Sequence, residues 1–111
     1  MGLLVKPHAV QVFAPDFPID SLGAVLTEGQ VGSQIVRGQL TPSTSAMAFE
    51  RWGVQLSRPY EWLCDASDAA LFVTNGWVVW DNARFRVRAT PMVFRAIAAA
   101  DHALVLLEQV S

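Results

Sequence analysis

The stretch GWVVWDNARFRVRA, residues 76–89, decides how the rest of the chain is read. Two runs rich in Trp, Val, Phe and Arg flank Asp81–Asn82, which is the pattern of a β-hairpin with a two-residue turn. Asp and Asn both tolerate the positive φ that such a turn needs. In that register Trp80 lies opposite Ala83, Val78 opposite Phe85 and Gly76 opposite Val87, because strand side chains alternate with a period of two. This face is apolar and is expected to point inward. On the other face Val79 meets Arg84 and Trp77 meets Arg86, with Arg88 beyond. A slip of one residue would exchange the faces and bury three arginines, so the pattern itself favours this pairing.

Around the hairpin the chain has 111 residues, enough for one domain with a real core and too few for two ordinary ones. A single domain over 1–111 is expected. The composition is 52% hydrophobic and only 16% charged, and the mean hydropathy is +0.31. In so apolar a small chain, part of the surface is expected to be covered by other subunits. Arg95 and Asp101 interrupt the long run from Ala89 to Leu107, so no segment reaches the ~18 apolar residues of a membrane span. MGLLVKPHAV is too short in its apolar part for a signal peptide. These features predict a soluble intracellular product with no membrane partner. Cys64, the one cysteine, sits in YEWLCDA and reads as a buried, inert thiol. The formal charge of −2 argues against a dedicated nucleic-acid binder, although four of the eight basic residues lie between Arg84 and Arg95.

Taken in order, HAVQVFA (residues 8–14) alternates as a strand ended by Pro15, PDFPIDSLG reads as a loop, and AVLT within 23–30 reads as a short strand. Residues 31–41 form a strand with Ile35 and Val36 on opposite faces, a bulge or bend at Gly38, and Pro42 at its end. PSTSAMAFERWG then reads as a short helix capped among Ser43, Thr44 and Ser45, with an apolar stripe at Ala46, Phe49 and Trp52 and a stop at Gly53. So short a helix must dock that stripe to be stable. VQLSRPYEWLC (54–64) is a further strand whose middle Pro59 demotes to an edge or bulge, and Asp65, Ser67 and Asp68 follow as a turn. The C-terminal stretch supports two readings. Thr90–Pro91 and the alanine-rich run after it favour a helix on propensity. The competing reading has a strand at Met92–Phe94, a break around Ala98–Asp101 and a last strand at His102–Glu108.

Catalytic and cofactor motifs are missing from the sequence. There is no G-x-S-x-G elbow, Asp101 adjoins His102 without making an orienting pair, His8 and His102 with one cysteine fall short of zinc spacing, and no phosphate loop occurs. No enzyme, metal or cofactor is expected. Trp77 with Arg84, Arg86 and Arg88 could stack and neutralise single-stranded nucleic acid; the alternative is a solvated or subunit-facing strand in which arginine stacks on Trp77. Trp52, Trp62 and Trp80 read as core residues, each expected to find a partner for its indole N–H.

The order IVRGQLTPST, capped helix and WG, VQLSRPYEWLC, acidic turn, VVWDNARFRVRATP and DHALVLLEQ resembles the head-closure (stopper) and related head–tail connector proteins of tailed bacteriophages and gene-transfer particles. The resemblance spans Val31 to Gln109 and rests on Gly38–Pro42, the Phe85-x-Val87 pair and the closing His102 with Glu108. It implies a mainly β fold, a small antiparallel β-barrel or sandwich with one short inserted helix, the inserted loop or helix segment being 38–53, and a final strand rather than a C-terminal helix. It also implies a homo-oligomeric ring in the virion neck, assembled in the bacterial cytoplasm, with a portal or adaptor ring and tail proteins as partners and double-stranded DNA in the lumen. The neighbouring role of tail-completion or terminator protein stays open. The inserted segment is where such proteins face the channel or the next ring. Thr41, Ser43, Thr44, Ser45, Glu50 and Arg51 are therefore candidate contacts, beside Trp77, Arg84, Arg86 and Arg88 of the hairpin.

Overall fold

A computed structural model describes residues 7–15, 33–94 and 101–110. The strands are β1 (His8–Phe13), β2 (Ser33–Pro42), β3 (Pro59–Asp65), β4 (Trp77–Trp80), β5 (Ala83–Val87), β6 (Met92–Phe94) and β7 (His102–Gln109). A helix, α1 (Ser45–Trp52), lies between β2 and β3, and a 3₁₀ helix (Ala66–Leu71) follows β3. The fold is mainly β. The strands pair antiparallel in the order β3-β2-β1-β4-β5-β7-β6, and pairing of β3 with β7 closes a six-stranded barrel rather than leaving an open sandwich.

The hairpin has the register read from its sequence, with Val78 opposite Phe85 and Trp77 opposite Arg86. Asp81 and Asn82 take φ of 47° and 67°, the positive values that let a two-residue turn follow the twist of the strands. The Val87 N–H donates to Gly76 O at 2.9 Å and extends the ladder by one step. Val78, Phe85 and Val87 face inward and meet Val10, Val12, Trp62 and Val105 in the barrel core. Cys64 is fully buried in the same core.

β2 serves two neighbours in succession. It pairs with β1 as far as Gly38, opposite His8, and with β3 from Gln39, opposite Leu63. Gly38 is where it changes partner, and a Cβ there would meet Leu63 O and the Trp62 ring, the latter at 2.7 Å. Glycine is required by that close approach. Trp62 is fully buried, but among the described residues its Nε1 has no hydrogen-bond partner, contrary to the expectation for a core indole. Trp52 does find one, as described below.

Two expectations change, and one open choice is resolved. β3 begins at Pro59, not in the stretch from Val54. A strand's first position tolerates a residue without an N–H. Asp65, Ser67 and Asp68 do not make a simple turn; the 3₁₀ helix carries the chain across one end of the barrel, where Ala69 and Phe72 join the core. The C-terminal run takes the extended reading that the resemblance implied, with β6 at Met92–Phe94 and β7 at His102–Gln109. Its helix propensity is overridden because Ala103, Val105 and Leu107 alternate inward on the strand that closes the barrel. The AVLT run, the PDFPIDSLG loop beyond Pro15 and most of the expected break before Asp101 lie outside the described residues. No helix among the described residues is long and apolar enough to cross a membrane.

Candidate interaction site

α1 is built as its sequence suggests. Thr44 caps it by accepting the Met47 N–H at 3.1 Å, and Gly53, at φ 71°, ends it with its N–H donated to Phe49 O. The docking stripe differs from Ala46, Phe49 and Trp52. Ala48 is the buried residue, packed with Leu56 of the following loop and Leu106 of β7, and Trp52 lies against the same cluster one turn on. Phe49 is left 58% exposed. The deciding partner is Glu61, which stands opposite Leu106 on the outer wall of β3 and β7. Its two carboxylate oxygens accept the Trp52 indole N–H at 3.1 Å and an Arg51 N–H at 3.2 Å. The helix is thereby pinned to the outside of the barrel. Glu61→Ala is expected to cost about 1–2 kcal/mol in urea denaturation, mostly through the Trp52 N–H it orphans, because the half-exposed Arg51 pair is worth little. The Trp52 indole resonance should move in the same variant, and an unmoved resonance would show that Glu61 does not hold the helix.

Of the candidate contacts, Thr41 is exposed on β2 opposite Glu61, Glu50 is exposed on α1, and Arg51 is committed to Glu61. Ser43, Thr44 and Ser45 are brought together at the end of the barrel where β2 leaves and β3 begins. Ser43 N–H donates to Pro59 O at 2.9 Å and Ser45 Oγ to Leu56 O at 2.7 Å, while the Ser43 hydroxyl is buried with no partner among the described residues. The three border a shallow cleft of about 460 Å³ shared with Ser57, Arg58 and Tyr60. Sequence reasoning missed Ser57 and Arg58 because it placed them inside a strand; Pro59 directly after a basic residue was the available signal.

The arginine row is less open than its sequence suggests. Trp77 is only 5% exposed and packs with Phe13 and Val79, so the outer face of β1 and β4 is itself buried, with the polar Gln11 opposite Val79 among its residues. The Arg86 guanidinium lies 4.0 Å over the Trp77 ring. Arg84 is half-buried beside it, and Arg88 pairs with Glu108 at 3.4 Å. The row presents guanidinium edges rather than an open aromatic ring. Arg88 also donates its N–H to Leu106 O, and the next residue, Ala89, packs on the α1 cluster, so this end of the row and the helix share one side of the barrel.

Both histidines are packed: His8 Nδ1 accepts the Leu40 N–H at 3.0 Å and its ring meets Trp80 edge-on, while His102 stacks on Phe94. Among the described residues no group of three or more His, Cys, Asp or Glu could hold a metal ion. The arrangement is that of a closed antiparallel barrel with a helix strapped to its outer wall and polar groups at its margins. Compared with known protein families, curated proteins and solved structures, the chain matches none.

Proposed function

We propose that the chain is a non-enzymatic ring component of a phage-like particle neck, joining a portal or adaptor ring to the tail and helping to retain packaged double-stranded DNA. The observation that carries the reading is the order of motifs from Gly38–Pro42, through the capped helix and the Asp81–Asn82 hairpin, to His102 and Glu108. A small barrel interrupted by one helix between two strands is the fold that this order implies, and α1 occupies that place. The apolar side chains left outside the core, Phe49, Val73 and Phe94 among them, support it as well, because a ring subunit has two unlike faces to bury. In this reading the work is mechanical and electrostatic. Repeated subunit contacts hold the ring, and a few guanidinium and hydroxyl groups per subunit are multiplied around the lumen. The neighbouring role of tail-completion protein in the same particle rests on the same motifs.

Particles produced without the gene are expected to show heads separated from tails under electron microscopy, with DNA lost from the heads. Joined, filled particles in its absence would end the proposal. A second reading, a small single-strand-binding barrel, is favoured by Arg84 and Arg86 on one face of β5 with Arg88 just beyond its end. A titration with single-stranded DNA decides it: no binding at ~50 mM salt, or binding without a salt slope, removes it.

A further inference from the structure

The cleft where β2 ends and β3 begins holds a charge that the chain does not answer. Arg58 lines it, and its guanidinium is positive at any working pH. Among the described residues Arg58 has no ion pair, unlike Arg51 and Arg88. No described lining residue is acidic. Glu61 and Glu108, next in sequence to the lining residues Tyr60 and Gln109, are held by Arg51 with Trp52 and by Arg88. The first turn of α1, which starts at the cleft, carries no carboxylate either. Residues 1–6 and 95–100 contain no Asp or Glu. Residues 16–32 join β1 to β2 beyond Phe13 and before Ser33, at the opposite end of β2 from Pro42.

The hydroxyls around Arg58 differ in what they have left to donate. Ser45 Oγ has committed its proton to Leu56 O. Thr44 Oγ1 accepts the Met47 N–H, so its own proton is still available. Ser57, exposed on the loop before β3, and Tyr60, whose ring stands edge-on to Phe85, bring two more hydroxyls from the β3 side. Ser43 Oγ is buried at the cleft with no partner among the described residues. A buried hydroxyl in that state calls for a group from outside the chain, an ion or a water.

We infer that the cleft binds a phosphate group. Arg58 supplies the charge, its planar fork donating to two phosphate oxygens, and the hydroxyls of Thr44, Ser57 and Tyr60 donate to the others. A tetrahedral phosphate offers acceptors in several directions, as donors on both sides of a cleft require, whereas a carboxylate presents two oxygens in one plane. The cleft is shallow, about 460 Å³, and takes either free phosphate or one phosphodiester unit of a nucleic-acid backbone. The inference does not depend on the neck reading, which only supplies a duplex as one of these two sources.

The test titrates the full, isotope-labelled chain with inorganic phosphate, against sodium chloride at equal ionic strength. Saturable amide shifts are expected at Ser43, Thr44, Ser57, Arg58 and Tyr60, with none of them produced by chloride. Acetate should bind at least about fivefold more weakly. Arg58→Gln should keep the folded spectrum, because the Gln109 N–H bonds to the main-chain oxygen of Arg58, and should weaken phosphate binding at least about tenfold. Arg37→Gln, at an exposed position of β2 opposite Ala9 and outside the cleft, should leave binding unchanged. A short DNA duplex that shifts the same amides and is displaced by phosphate assigns the site to a backbone phosphodiester; a duplex without effect on them assigns it to free phosphate. Equal shifts with chloride or acetate, shifts centred elsewhere, no saturation, or parental binding by Arg58→Gln would overturn the inference. So would an equal loss in Arg37→Gln, which would reduce the effect to general charge attraction.

Discussion

Gly38→Val is expected to lower the stability of the barrel by about 3 kcal/mol, the upper end of what overpacking costs. The added side chain meets two obstacles of different kinds. One is the Trp62 ring at 2.7 Å; the other is Leu63 O, a main-chain atom of the strand to which β2 is passing. A side chain can yield by changing rotamer, whereas the carbonyl moves only if β3 moves. Combining Gly38→Val with Trp62→Leu should therefore restore only part of the loss, beyond what the ring truncation itself removes. The urea midpoint of both variants checks this, with the slope of the transition unchanged. A Gly38→Val protein as stable as the parent would mean that β2 does not approach β3 so closely.

Phe72→Ala is expected to cost about 3–5 kcal/mol, as for other fully buried aromatic truncations. Phe72 is 1% exposed although it lies just past the end of a 3₁₀ helix, outside any strand. It stoppers one end of the barrel against Trp62, with ring centroids 6.3 Å apart. Val73, the next residue, is 52% exposed, and Val73→Ala should change stability by no more than about 0.5 kcal/mol. The pair separates burial from position in the chain. A loss below about 1 kcal/mol for Phe72→Ala would show that the barrel end is closed by other groups.

What could be read from the sequence, and what could not, follows from the range of the forces involved. The hairpin was legible because its turn chemistry and its period-two pattern agree, and either alternative frame would have buried arginines. The caps of α1 were legible because Thr44 and Gly53 act within one turn of themselves. Its docked face was not. Ala46, Phe49 and Trp52 make a plausible stripe until Glu61 on the following strand and Leu106, far along the sequence on β7, select Ala48 and Trp52 instead. The outer face of the hairpin was misjudged for a related reason. Alternation divides a strand into two faces but does not reveal that Phe13 supports Trp77 and Val79 from the second side. The C-terminal run is the sharpest conflict: local propensity favours helix, and only closure of the barrel makes it strand. Among the candidate contacts, Ser43, Thr44 and Ser45 do gather around one cleft, while Arg51, Arg86 and Arg88 each have a partner within the chain.

β7 borders β3 along one edge and β5 and β6 along the other, and it follows all the other described strands in the order of the chain. During synthesis the earlier strands emerge from the ribosome without the wall that covers Trp62 and Phe85. Pairings such as Pro59 with Glu108 must also close a long loop before they return any energy. The local hairpin can form early, but the barrel becomes stable only when its final strand arrives. Closure by β7, not hairpin formation, is therefore expected to set the folding rate. In the interval before it, the nascent protein offers apolar strand edges to chaperones or to other copies of itself.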